Sequence, residues 1–282
     1  MLGVPSFSKP TLITKLAGMP VVHKAIRLFR VQQIAERALS VVPMRRKLRR
    51  SDLRYRVRFL ESVLIADEIF QREIYREAFD QMDVRTFVDL GSNVGYFPLY
   101  AVEHTGRRDL IGLVVDGNEK MASESRWHVQ ENGLADTVTV KHGVVGYPPG
   151  VTEATFFVNP SNVASSAQPV LNPDVPSKGE SIPVKVPAVD VLAEWKKLAG
   201  DRRIDLMKVD IEGFEGDFIK NTIAALELTD RLVIEWHKWV NERDVIDALL
   251  AAQGFSLRKV ISEDPHCGVA IYDRNAKTHA EA

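Results

Sequence analysis

An α/β fold built on a mostly parallel sheet is predicted by three observations in this 282-residue sequence. Short apolar segments alternate with helical ones from residue 86 onward, the rhythm of βαβ units. A glycine-punctuated turn follows the first apolar segment and opens a helix, in "FVDLGSNVGYFPLY". A dense group of acids, Asp210, Glu212, Glu215 and Asp217, follows directly on the buried-strand pattern "IDLMKV". In an open parallel sheet the carboxyl ends of the strands form the ligand crevice, so all three observations converge on one edge.

Composition sets the outer bounds. With 45% hydrophobic and 27% charged residues, the chain has the profile of a globular domain large enough for a substantial core. No apolar run approaches the roughly 18–20 residues of a membrane span. The start lacks the order of a secretory signal, although its Arg-rich, acid-poor character also matches an organelle transit peptide. The single cysteine, Cys267, excludes an internal disulfide and a cysteine-cluster metal site, and a cytoplasmic setting is expected. Charge is uneven. Residues 1–58 carry 14 Lys and Arg against two acids, a charge of +12, and the rest carries 23 basic and 36 acidic residues, a charge of −13. Such an arm is either solvated and internally paired, or attracted to anionic lipid or nucleic acid.

The elements follow in order. "VVHKAIRLFRVQQIAERAL" spaces its apolar residues as an amphipathic helix with a basic face. It suits docking on the body, homodimerisation or peripheral contact with a membrane surface. "RFLESVLIADEIFQREIYREAF" extends the helical reading to the first strand. Strand "TFVDL", the glycine turn and its helix, strand "DLIGLVV", helix "EKMASESRWHVQENG" and strand "TVTVKHGVV" come next. Residues 147–187 interrupt the rhythm and hold eight of the 14 prolines, with "ATFFV" and "IPVKVPA" as strands. The alternation resumes with helix 190–198, strand 204–209, helix 214–226, strand "RLVIEW" and helix 240–253, and "FSLRKVI" and "GVAIYD" close the chain. The division is a helical basic extension over 1–80, a nucleotide-cofactor domain over 81–275 and a tail over 276–282.

Two loops carry the cofactor reading. Asp89 ends a strand, and Gly91, Ser92, Asn93 and Gly95 form the turn after it. The glycines read G-x-x-x-G, with Asn93 where a dinucleotide loop needs glycine, and no P-loop lysine follows. A ligand that approaches the backbone closely but has no phosphates fits better, and S-adenosylmethionine is one; a tight turn without a ligand is the plainer reading. Asp116 ends the next strand, placed to accept hydrogen bonds from ribose hydroxyls, with Gly117 and Asn118 beside the adenosine and Val144 at the end of the third strand. Asp116 or Asn118 also suits a helix N-cap.

"FVDLGSNVGYFPLYA", "VVDGNEKM", "ENGLADTVTV", "VKVPAVDVL", "IDLMKVDIEGFEGDFIKNT" and "RLVIEWH" together resemble the FkbM family of methyltransferases over about residues 80–240. The resemblance implies the class I methyltransferase fold, Rossmann-like with a seven-stranded sheet, and S-adenosyl-L-methionine as donor. It implies methylation of hydroxyl oxygens on sugars, glycans or secondary metabolites. Asp116-Gly117 stands where the family has Glu-Pro, so the ribose contact is expected to be looser or water-mediated.

For catalysis, Asp210 and Glu212 are placed for base, acceptor orientation or cation binding, with Lys208 pairing one of them. Glu215 and Asp217 read as first-turn acids favouring the helix dipole. Glu235 and His237 reach the same edge; His237 is either a base near neutral pH or a strand-end histidine bonded to backbone. Trp236 or Trp239 can cover an acceptor ring. A Mg²⁺ or Mn²⁺ set from Asp210, Glu235 and His237 is conceivable, but no metal is assigned. The leading expectation is an O-methyltransferase acting on a small-molecule or glycan acceptor. An RNA methyltransferase is the second, supported by the basic arm and opposed by the acidic body. A non-catalytic adaptor using the basic helix is the third.

Overall fold

A computed structural model describes residues 37–159, 165–167 and 181–276. Apolar, β-branched segments buried on both faces can only be central strands, and the sheet is built from them. Its order is β10 (Phe255–Glu263), β11 (Cys267–Arg274), β9 (Thr229–His237), β8 (Ile204–Val209), β3 (Thr86–Leu90), β4 (Ile111–Asp116) and β5 (Val138–His142). The pairs from β9 to β5 are parallel, and β11 runs antiparallel to both its neighbours. The expected seven-stranded, mostly parallel α/β sheet is therefore present. Every residue of β3 is buried, as the run "TFVDL" predicts.

Helices cover both faces. Helices α1 (Glu61–Phe70), α2 (Tyr96–Thr105) and α3 (Glu119–Glu131) pack one side through Ile69, Phe97, Leu99 and Met121. Helices α4 (Val191–Ala199), α5 (Glu215–Asn221), α6 (Ile223–Glu227) and α7 (Arg243–Ala252) cover the other through Trp195, Phe218, Leu226 and Ile246. The single helix expected over 214–226 is two, broken at Thr222, whose φ of −120° is not helical. The Pro-rich interruption pairs β6 (Glu153–Val158) with β7 (Ile182–Pro187) as a separate two-stranded ribbon with its own small core of Val144, Ala154, Phe156 and Val186.

The extension corrects the helical expectation. Residues 37–41 are helical, while the rest of the amphipathic helix lies outside the described residues, as do residues 277–282 of the tail. After it the chain forms a hairpin, β1 (Met44–Lys47) with β2 (Arg54–Val57), and not a continuing helix. The reason is tertiary. Leu48, Leu53 and Val57 are buried, and the first two join the core under α2. Arg56 meanwhile meets α3, where its guanidinium forks onto Glu124 at 2.7 and 2.8 Å. Arg58 adds a third bond to Glu124 at 3.0 Å. The Arg56 amide donates to His128 Nε2 at 3.0 Å, and Asn132 exchanges two bonds with the Arg54 backbone. Much of the basic excess here is thus internally paired. Beyond α1, a 3₁₀ turn over Arg76–Phe79 leads into β3.

Candidate active site

Strand order reverses at β3, so the crevice opens between the ends of β3 and β8. Gly91 (φ +73°) turns the chain there, and its amide and that of Ser92 donate to the Val115 carbonyl at 2.9 and 3.2 Å. A Cβ on Gly91 would sit 1.6 Å from the Asp210 carbonyl oxygen. Close approach is therefore demanded first by the chain's own β8 loop, a different reason from the donor contact expected. Gly95 (φ +78°) likewise lets α2 approach Ser125 on α3, and Ser92 Oγ lies 3.4 Å from Ser125 Oγ. Neither Ser92 nor Gly95 lines the slot described next.

Asp116 ties the two loops together. Its carboxylate accepts the Asn93 and Asn118 amides, both at 2.7 Å. Burial pushes its pKa up to about 7 against the pull of those two N–H groups. Asn118 caps α3 through Oδ1, so the cap reading and the site reading both hold. Its Nδ2 is buried with no partner. A slot of about 50 Å³ runs past Gly91, Asp116 and Gly117, walled by Val144, Ile211, Phe214 and, from the ribbon, Phe156. A Cβ on Gly117 would lie 2.8 Å from Phe156 and 3.0 Å from Val144. Aromatic walls and a carboxylate therefore line the slot. Phe156 and Phe214 carry no spacing signal and were not legible in the sequence.

The catalytic candidates meet beside this slot. Lys208, only 4% exposed, reaches the Gly91 carbonyl at 3.2 Å and stands 3.3 Å from both Asp89 and Asp210. The contact with Asp89 is an ion pair without hydrogen-bond geometry, so both Asp89 oxygens lack a hydrogen-bond partner. Burial opposes the Lys208 charge, but Asp210, Tyr75 and Asp89 outweigh it and hold the pKa well above its ordinary value. Tyr75, from the segment before β3, places its ring 5.9 Å from this ammonium. The extension therefore supplies part of the site floor, which no motif announced.

Glu215 corrects the sequence reading most. It is fully buried, and its Oε1 lies 3.0 Å from His237 Nδ1 while accepting the amides of Gly213 and Ile211. It orients His237; it is not simply a dipole acid. Asp217 stays half-buried in the first turn of α5. His237 Nε2 faces Glu212 at 3.4 Å and Glu235 at 3.9 Å. Burial disfavours the imidazolium, but Glu215 and Glu212 outweigh it and raise the His237 pKa well above its ordinary value. The pull of these carboxylates therefore favours the protonated imidazolium of His237. Burial pushes Glu212 up to about 8, and burial followed by the Asp210 charge raises Glu235 well above the carboxylate range. Trp236 is fully buried in the core and cannot cover an acceptor; Trp239 packs its ring 4.4 Å from that of His237.

Residues 89–257 match the family model described as the methyltransferase FkbM domain. No curated protein matches the chain. Similar solved structures include a protein of the NADB-Rossmann superfamily from Streptococcus agalactiae, 13% identical, with a TM-score of 0.46 over 74% of this chain and 70% of that one. TrmK from M. capricolum, solved with S-adenosyl-homocysteine, is 12% identical, with a TM-score of 0.43 over 74% and 71%. A SAM-dependent methyltransferase from Aquifex aeolicus is 13% identical, with a TM-score of 0.42 over 73% and 91%. None of the three bears on the acceptor.

Proposed function

The chain belongs to the FkbM methyltransferase family and is S-adenosylmethionine-dependent, and on that premise we propose that it methylates a hydroxyl oxygen of a sugar, glycan or secondary metabolite. When bound, the donor supplies an electrophilic methyl group on a positively charged sulfur. Asp116, Gly117 and the Phe156 wall would hold its nucleoside, with Asn118 bonded to Asp116 beside them. The observation that carries the reading is the convergence of Asp210, Glu212 and His237, whose polar atoms lie within 4.8 Å of one another beside that slot. A hydroxyl must lose its proton as it accepts a methyl group, and a positioned carboxylate meets that need. Asp210, with 26% of its side chain exposed, is the group at the mouth that orients the hydroxyl and receives its proton. Lys208 and His237 act as positioning residues: each fixes a carboxylate and balances its charge.

The test uses labelled donor and a panel of hydroxyl acceptors, with an RNA pool alongside. Label should accumulate as an alkali-stable methyl ether. Asp210→Asn should keep its affinity for S-adenosylhomocysteine and lose about 10²–10⁴-fold in turnover, the usual contribution of a general base. Label found on nitrogen or in RNA would sink the hydroxyl assignment.

A further inference from the structure

We propose that Asp210, Glu212 and His237 form a binding site for a divalent cation of the Mg²⁺ or Mn²⁺ type, a site in addition to the donor slot. Their ligand atoms lie within 4.8 Å of one another. Ligands of an octahedral ion at about 2.1 Å stand about 3.0 Å apart as neighbours and about 4.2 Å apart as opposites, so side-chain rotation has to draw the set together around the ion.

The histidine is the independent observation. Its side chain is 4% exposed, and its Nδ1 is committed to the buried Glu215 carboxylate at 3.0 Å. Two backbone amides, from Gly213 and Ile211, hold the same Glu215 oxygen in place. A carboxylate behind one ring nitrogen directs the other nitrogen outward, and the ion takes its lone pair by displacing the proton there, the arrangement that orients metal-ligating histidines. His237 Nε2 makes no hydrogen bond among the described residues and points at Glu212.

Charge gives the same answer. Asp89, Asp210, Glu212, Glu215 and Glu235 crowd this edge, and among the described residues only Lys208 and His237 stand within ion-pair distance of them. With Lys208 on Oδ2 and the ion on Oδ1, Asp210 acts on the acceptor hydroxyl through the ion, in place of direct proton transfer. Glu235 lies 3.9 Å from His237 Nε2, close enough to accept from a metal-bound water. Two carboxylates and one imidazole suit Mn²⁺ better than Mg²⁺, which prefers oxygen alone, and three protein ligands leave positions open at a mouth where Asp210 and Glu212 are 26% and 24% exposed. Only the role of those positions, holding the acceptor hydroxyl, rests on the methyltransferase reading; binding of the ion does not.

The experiment titrates the chelator-stripped full chain with Mn²⁺ alone, following free Mn²⁺ by electron paramagnetic resonance. One ion per chain should bind. Glu212→Gln and Asp210→Asn should each weaken it at least tenfold, and His237→Gln should abolish it. Glu153→Gln, on the exposed start of β6, should leave it unchanged. Because His237 is buried, Glu212→Gln, partly exposed and isosteric, decides the matter if the histidine variant does not fold. No uptake at millimolar Mn²⁺, or equal uptake by wild type and Glu212→Gln, would overturn the site. S-adenosylhomocysteine titrated into the same samples separates the two readings: donor binding without Mn²⁺ binding removes the cation and leaves the methyltransferase standing.

Discussion

The hairpin against α3 and the carboxyl edge of the sheet both bury charge, and they do it differently. At the hairpin every buried group finds its partner. Arg56 and Arg58 share Glu124, and His128 accepts the Arg56 amide at one nitrogen while its other nitrogen meets the Val94 carbonyl at 2.8 Å. Asn132 and the Tyr96 hydroxyl satisfy the strand backbone. At the carboxyl edge the network is incomplete. Among the described residues the buried side-chain atoms without a hydrogen bond are both Asp89 oxygens, Asn118 Nδ2, Glu215 Oε2 and Trp236 Nε1. The first four belong to residues of the site, and the last to the neighbour of His237. A complete polar network specifies a fold, whereas an incomplete one at a crevice is shaped for groups that arrive with a ligand.

The largest test breaks the complete network. Arg56→Ala leaves Glu124, 4% exposed, with Arg58 alone and removes a guanidinium stacked 4.0 Å over Trp127. Removing one member of a buried pair costs about 3–5 kcal/mol, which denaturant unfolding would read. Affinity for S-adenosylhomocysteine should survive in the folded fraction. A loss below 1 kcal/mol would mean that the hairpin is only appended to the domain.

His128 tests the same network through pH. Burial depresses its pKa to about 4. The folded state binds fewer protons than the unfolded one between that value and the unperturbed 6.5. Stability is therefore present above pH 6.5 and falls as pH drops toward 4, by about 3 kcal/mol. His128→Gln keeps an acceptor for the Arg56 amide and should flatten that slope; an unchanged slope would assign it to other groups.

Much of this contrast was hidden from sequence reasoning, for physical reasons. The strands from 86 onward were legible because central parallel strands are apolar on both faces, and the glycine turn and Asp116 were legible because strand ends have fixed geometry. The hairpin was not. In "MRRKLRRSDLRYRV" the charges suit an exposed helix face, and only the contact with α3 makes Arg56 an interior residue. Glu215 failed for a related reason. Its position in the first turn of α5 is shared with Asp217, and only the fold turns one inward to His237 and leaves the other half-buried. Phe156 reaches the slot across a ribbon far along the chain, where no local pattern points.

The donor side sharpens the comparison by a smaller amount. Asp116 titrates at about 7 because burial outweighs its two amide donors. Ribose hydroxyls donating to it favour the carboxylate, so donor binding should expel the proton. The affinity for S-adenosylhomocysteine should then be about tenfold weaker at pH 6 than at pH 8, or about 1.4 kcal/mol. Asp116→Asn should bind more weakly at both values and lose the dependence. A flat profile in the wild type would place the ribose away from Asp116.

The smallest expected effect is the most pointed, because it asks whether a buried acid can be neutralised without penalty. Glu235 shares the edge with Asp210 and Glu212, and its carboxyl is held well above the ordinary range by burial and by the Asp210 charge. Its nearest cationic group, His237 Nε2, stands 3.9 Å away and is closer to Glu212. Glu235→Gln keeps the shape and replaces a carboxyl that its surroundings already hold toward the neutral form. In chelator-treated protein, unfolding stability should stay within about 0.5 kcal/mol of wild type, the scale of a substitution that keeps shape and hydrogen-bonding capacity. The same isosteric change at Glu124, where two guanidiniums converge, should cost several times more. Equal losses at the two glutamates would erase the distinction between a network complete in the protein and one left open at the crevice.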